Sequence, residues 1–479
     1  MWQREAQKTG LVFSTLAVHE DEIRCRVSLQ RQTGAAGEKG DTMKGYQKGV
    51  LTVLAAVAAV MLGTGCSRSV LNYQIAECIG TLDKYENNEP VETPKMKAER
   101  EKQESEEALE QQKEKTLADA ENLALTYEYE DAIALLQNSE VLKEDERAVE
   151  AISSYQKKVD SIYEYDGDIG HLCFTNLVVD TERAFDGDEY SSVYKQNMIT
   201  LEEFTNILNT LYDSGYVLID IHTLAEEVSN SKGDVTMSQV FPSIPEGKKP
   251  FILSVENLDY SSIRNGDGVA TKLALDQNGD VMASYTDEGG HDLLGAYDVV
   301  PALEQFIQEH PDFSYKGARG IISLSGVNGA FGYQVEEGKS ADYEKNQETV
   351  KAIASKLVED GWSFASAGYS YQYMGDFSYE SLKEDITKWE QTVGTLIGTC
   401  DILMYPYGSE VDYTTEKAAF LINQGFRYLI GMWSEGDHLE VNSTYLRQTR
   451  RTITGYVLEN YPSNFSTYFS TASIIDGAR

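Results

Sequence analysis

A chain of 479 residues is too long for one ordinary domain and long enough for a barrel of about 250 residues with accessory pieces. With 41 Lys and Arg against 78 Asp and Glu, the formal net charge is -37, which makes nucleic acid and bare anionic membrane poor partners. The charge is either a plain solvated surface or one that repels anionic cell-wall polymers and attracts divalent cations.

Residues 1–65 read as an N-terminal extension and a leader. Up to residue 42 the composition is mixed and polar, and Met43 then opens a start-like pattern, with Lys44 and Lys48 ahead of an apolar run from Gly49 to Leu62. That run of about fourteen residues is short for a membrane span and ends in LGTGCS. Small residues before Cys66 resemble a bacterial lipoprotein cleavage box. The resemblance implies that Met43 is the true start and that Cys66 is the lipidated first residue of the mature chain; a plain signal peptide or an uncleaved anchor is the alternative. Residues 66–115, rich in Glu, Lys and Gln from Asn87 onward, read as a charged tether continuing into a helix. Residues 116–166 read as a helical hairpin acting as a stalk. Leu117, Ala120, Ala124 and Tyr127 mark one face, Val149, Ile152 and Val159 mark another, and TYEYEDAIALL looks like one copy of a tetratricopeptide unit.

From 167 to 479 the pattern changes. Apolar, strand-like runs occur at His171–Val179, Tyr216–Ile221, Phe251–Val255, Gly320–Leu324, Trp362–Ala365, Asp401–Tyr405 and Phe426–Ile430. Amphipathic helices are predicted at Leu201–Asp213, Val299–His310, Tyr343–Asp360, Tyr379–Leu396 and Thr415–Asn423. Alternating strand and helix implies an α/β fold with right-handed crossovers and a mostly parallel sheet, and about seven units favour a closed, distorted (β/α) barrel over an open sheet. KLALDQNGDVMASY alternates around Asn278-Gly279 and predicts an inserted hairpin. Cys173 and Cys400 sit in apolar contexts, and the five cysteines show no paired spacing.

Three stretches at strand ends carry a resemblance. PFILSVENLDY ends one strand, GWSFASAGYSYQYMG follows a second with Gly368 as its turn, and Met404-Tyr405-Pro406-Tyr407-Gly408 follows a third. In order and spacing they are similar to the motifs of the polysaccharide deacetylase (NodB-homology) family. LVVDTERAFD, FSYKGARGIISLSGVNGAFGY and YLRQTRRTITGY look like a secreted bacterial branch of it. The resemblance implies hydrolysis of glycan N-acetyl groups by a metal held by one Asp and two His, with a second Asp as base and a backbone N–H of the third motif on the oxyanion.

On that mapping Glu256 occupies the base position and Tyr407 the oxyanion position, while the ligand positions hold Asn257, Ala367 and Tyr371. Met404 stands where many members carry Arg. Since a catalytic zinc-type site needs about three protein ligands, the expectation is no metal cofactor; zinc or another divalent ion would require rescue by residues such as Asp259 or His438. His171, His222, His291 and His310 read as solvated or helix-terminal. Glu256 is also weighed as one of a glycosidase-like pair with Asp259 or Glu410. Tyr260, Tyr369, Tyr371, Tyr373, Tyr405, Tyr407 and Trp433 are candidate sugar-binding aromatics. The expectation is a lipid-anchored protein on the outer face of the bacterial cytoplasmic membrane, a metal-free pseudoenzyme that binds cell-wall or host glycan and no nucleic acid. An active deacetylase with unconventional ligands and a scaffold or protein-interaction domain are the alternatives.

Overall fold

The computed structural model describes residues 93–229, 235–432 and 436–479. The leader, Met43, Cys66 and Trp433 lie outside the described residues. The chain divides into two compact units, Met1–Ala108 and Leu109–Arg479. Among the described residues no helix is long and apolar enough to cross a membrane.

Helix α1, Pro94–Leu125, is polar on all sides through most of its length. Exposed pairs one turn apart, Lys95 with Glu99 and Arg100 with Glu104, support it in water. Its apolar residues come late, and Ala120 and Ala124 are buried. Helices α2 (Tyr129–Gln137) and α3 (Glu146–Val159) follow, the latter capped by Asp145, whose carboxylate accepts from the Arg147 N–H. These helices fall in the segment read as a helical hairpin, and they pack against the barrel. Ala132, Leu136 and Ala148 share one core with Ile169, Val217 and Tyr315. The Tyr127 ring lies 5.6 Å from that of Tyr315, and the Lys316 N–H donates to the Thr126 carbonyl at 2.8 Å. Helices this short gain most of their stability from burying an apolar face, and here the barrel supplies the burial.

Seven parallel strands close the barrel. In ring order they are β1 (Gly170–Phe174), β3 (Lys249–Val255), β4 (Ile321–Leu324), β5 (Ser363–Ser366), β6 (Ile402–Met404), β7 (Tyr428–Met432) and β8 (Leu446–Thr452), which returns to β1. Strand β2 (Tyr216–Leu218) was expected inside this ring. It pairs with the first half of β3, at Lys249–Phe251, and bridges Ser314 through Leu218, while β4 takes over the edge of β3 at Ser254. The seventh place belongs to β8, part of the stretch read from sequence only as a tail. Around the ring lie α4 (Leu201–Asp213), α5 (Val299–Glu309), α6 (Tyr343–Glu359), α7 (Tyr379–Trp389) and α8 (Glu416–Asn423). The Asn278-Gly279 hairpin forms between Lys272–Leu275 and Val281–Thr286, its loop closed on the Asp276 carboxylate.

Period-two alternation sorts each strand into two sets. Leu172, Phe174, Leu253, Val255, Ile322, Leu324 and Phe364 pack outward with the helices in one core. Ile169, Cys173, Ile252, Ile321, Ala365, Ile402, Met404, Ile430 and Leu446 form the inward set. The same parity carries His171, Ser254 and Gln448 into the lumen. There His171 Nε2 meets Ser254 Oγ at 2.7 Å and Nδ1 meets Gln448 Oε1 at 3.2 Å. His171 is thus a core residue and not the solvated histidine expected. Burial, then the charge of Arg450, pushes its pKa down to about 3 and keeps the ring neutral.

His222 behaves in the opposite way. Its Nδ1 lies 2.6 Å from Asp220 Oδ1 and its Nε2 3.1 Å from Asp401 Oδ1, joining the turn after β2 to the residue before β6. Burial alone would lower its pKa, but the two carboxylates outweigh that and push it up to about 10. A folded-state pKa raised from 6.5 contributes stability that is complete below the unfolded value and decays as pH rises toward the folded one. Denaturant titrations should therefore show the wild type losing stability relative to His222→Gln as pH rises from neutral to about 10; parallel curves would mean the imidazolium is not held.

Candidate functional site

The inward parity of β3 continues one residue past its end, so Glu256 follows Ile252 and Ser254 into the top of the lumen. Opposite stands Arg450, fully buried on β8. Its Nη2 donates to Glu256 Oε1 at 2.8 Å and to the Tyr405 carbonyl at 3.0 Å, and its Nη1 donates to the Gly431 carbonyl at 3.0 Å. Burial disfavours the guanidinium charge, yet the adjacent Glu256 outweighs this and holds the pKa above its ordinary value. Tyr371 donates from its hydroxyl to the same Glu256 oxygen at 2.8 Å. Burial first, then the Glu256 charge, raise the phenol pKa far above its usual value, so it stays protonated. Cys173 approaches the other oxygen at 3.8 Å, and burial with Glu256 pushes its thiol up to about 12.

Above this layer opens a cleft of about 290 Å³. The turn after β1 contributes Thr175 and Asn176, the helix Ser191–Asn197 contributes Val193 and Tyr194, the loop after β3 contributes Glu256, Asn257, Asp259 and Arg264, and Tyr371 closes one side. A polar chain lines it. Asp298, the buried N-cap of α5, accepts from the Asn176 amide at 2.7 Å. Asn176 Oδ1 accepts from Arg264 at 3.0 Å, and Arg264 reaches Asp259 at 3.5 Å. Asp259 Oδ2 also accepts from Asn257 at 3.1 Å and Asn328 at 2.7 Å.

The loop carrying Tyr371 is fixed from behind. The Asp385 carboxylate on α7 accepts from the backbone N–H groups of Tyr369 and Ser370, both at 2.9 Å. Gly368 has φ +68°, and a Cβ there would lie 2.4 Å from Asp385. Glycine is required there twice over, by conformation and by space. Tyr371 and Tyr407 are themselves left-handed, at φ 53° and 54°.

The candidate aromatics divide. Tyr373 and Tyr407 are 51% and 46% exposed, stack at 4.6 Å, and form a ledge continued by Tyr371, edge-on to Tyr407 at 5.1 Å. Tyr260 and Tyr405 are buried and offer no face to a sugar. Each lies in an apolar cluster, Tyr405 where the inside–outside alternation of β6 turns its ring toward α7 and α8. Tyr369 is also displaced from the ledge. Lys388 covers its ring at 3.7 Å, and its hydroxyl lies between Glu336 and Lys339.

The three ligand positions do not gather donors suited to a metal. Asn257 and Tyr371 meet at the cleft, but the Asn257 carbonyl accepts from the Ser325 N–H at 3.0 Å and its amide donates to Asp259. Ala367 is buried at the end of β5 and has no donor, and Tyr371 is a protonated hydrogen-bond donor. Among the described residues no three His, Cys, Asp or Glu side chains form a group that could hold a metal ion. His438 sits beside Glu440 and Thr449, and His291 pairs with Asp287. Glu410 is engaged by Arg447 in a two-point pair at 2.6 and 2.8 Å and by Tyr413, which leaves Asp259 as the carboxylate sharing the cleft with Glu256.

Arg450 is the residue that sequence reasoning missed. The available signal was the alternation Leu446, Gln448, Arg450, Thr452 in a stretch able to extend, together with a carboxylate at a barrel-strand end that needed a partner. Replacing Arg450 by Met leaves Glu256 buried without its cation and should cost about 3–5 kcal/mol in urea unfolding. Adding Glu256→Gln should recover part of the loss, and a neutral Arg450→Met would show that the pair is not formed.

Two comparisons with known proteins give a match. The family model described as Polysaccharide deacetylase matches residues 334–428, which include Ala367, Tyr371, Tyr373 and Tyr407 but not Glu256 or Asn257. A solved structure of the Streptococcus pyogenes deacetylase PplD in complex with acetate is similar over 61% of this chain and 96% of that chain, with 12% identity and a TM-score of 0.34. No curated protein matches the chain in sequence. On the family match, residues 334–428 are similar to a polysaccharide deacetylase domain.

Proposed function

We propose that this domain binds a glycan at the barrel mouth without metal-dependent hydrolysis, as a pseudoenzyme of the deacetylase type. One observation carries the reading. The positions expected to hold a metal carry side chains already committed elsewhere, with Tyr371 on Glu256 and Asn257 between Ser325 and Asp259, while the cleft and its tyrosine ledge remain open. A carboxylate neutralised by Arg450 and capped by a phenol is poorly suited to take a proton from water. The ledge of Tyr373 and Tyr407 supplies two half-exposed rings beside polar groups, the pairing of apolar face and hydrogen-bonding edge that a pyranose presents. A polysaccharide ligand is what the family match implies.

The proposal extends to the setting. The pattern ending at Cys66 supports a lipid anchor on the outer face of a bacterial cytoplasmic membrane, and α1, polar on every side, suits a spacer.

Two measurements test the reading. Purified protein incubated with zinc or cobalt should retain no stoichiometric metal through gel filtration and release no acetate from acetylated glycans; retention with turnover would establish an active enzyme. Tyr373→Ala and Tyr407→Ala should each weaken glycan binding by about 1 kcal/mol, roughly fivefold, without lowering the melting temperature. Binding indifferent to both substitutions would remove the ledge from the account.

A further inference from the structure

The donors and acceptors of the cleft are unevenly spent. Tyr371 donates to Glu256, Tyr194 to Asp267 at 2.6 Å, Asn257 to Asp259 and Asn176 to Asp298. Arg264 is turned onto Asn176 and Asp259, and Arg450 onto Glu256 and main-chain carbonyls. Acceptor capacity remains. Glu256 Oε2 has only the weak thiol contact of Cys173, and Asp259 Oδ1 only the 3.5 Å contact of Arg264. Each carboxylate oxygen can take a further donor. Glu256 and Asp259 are the carboxylates that line the cleft, in a chain whose formal net charge is -37.

Resting on the glycan-binding reading above, we infer that the preferred ligand is a de-N-acetylated amino-sugar segment, recognised through its ammonium group. An ammonium brings three donors and no acceptor, which matches the open oxygens Glu256 Oε2 and Asp259 Oδ1. The tyrosine faces add attraction for a cation, and the field of an acidic chain raises its local concentration. An N-acetyl group presents a carbonyl that needs a donor, and the side-chain donors named above are already engaged. A uronate or phosphate would need a cation not already turned onto a protein oxygen.

The test titrates the protein with a hexamer of β-1,4-linked glucosamine, its fully N-acetylated counterpart and cellohexaose, following tyrosine and tryptophan fluorescence and heat. The glucosamine hexamer should bind about tenfold more tightly than the N-acetylated one, and its affinity should fall as salt rises. Asp259→Asn should erase the preference, and the salt dependence of the wild type decides the matter if that variant does not fold. Equal or tighter binding of the N-acetylated hexamer, or amino-sugar binding insensitive to salt, overturns the inference. Binding of cellohexaose or the N-acetylated hexamer without the amino sugar overturns it while leaving the glycan cleft standing; binding of none of the three overturns both.

Discussion

The ion pair between Arg450 and Glu256 is the constraint on which the upper barrel depends. A guanidinium with 0% exposure is tolerable only where its charge and its N–H groups are met together. Here one carboxylate and carbonyls from Ile430, Gly431 and Tyr405 meet it, so a single side chain on β8 joins the end of β3, strand β7 and the residue after β6. Only Nε is left without a hydrogen-bond partner. The planar fork of Arg makes this possible, and a lysine could not reach the same set of oxygens from one position.

The neighbouring residues take their states from this pair. His171 one layer below is neutral because it is buried under a fixed positive charge. The Cys173 thiol is kept from ionising by burial and by Glu256, and the Tyr371 phenol is kept protonated for the same two reasons. A guanidinium satisfies a carboxylate as a metal would, but it has no open coordination position on which a water molecule could be activated.

Much of the fold was legible because the outward-facing helices and apolar strands obey simple periods. Helix α4 falls at Leu201–Asp213 as read, with a capping box between Thr200 and Glu203 that marks its start in the sequence itself. The failures share one physical origin. Residues in the lumen are chosen by partners far along the chain, so His171 was read as solvated or helix-terminal and Arg450 drew no reading at all. Tyr260, Tyr369 and Tyr405 failed for a related reason: position after a strand end places a residue near the mouth but does not say whether its ring turns in or out. Tyr371, Tyr373 and Tyr407 stand together at the mouth because the loops bearing them are set by local features, the glycines at 368 and 408 among them.

Backbone strain bears on whether the mouth is a relic. Among the described residues, Tyr127 and Lys316 adopt left-handed conformations where the N-terminal helices meet the barrel, Tyr260 and Phe331 do so in the apolar core, and Asn257, Tyr371 and Tyr407 do so around the cleft and its ledge. Such residues cost on the order of 1–3 kcal/mol each and persist where the surroundings over-determine them. Asp385 accounts for the loop of Tyr371, and the two-sided engagement of Asn257 by Ser325 and Asp259 accounts for that residue. Tyr407 has no comparable anchor in its side chain, which stands half exposed against Tyr373.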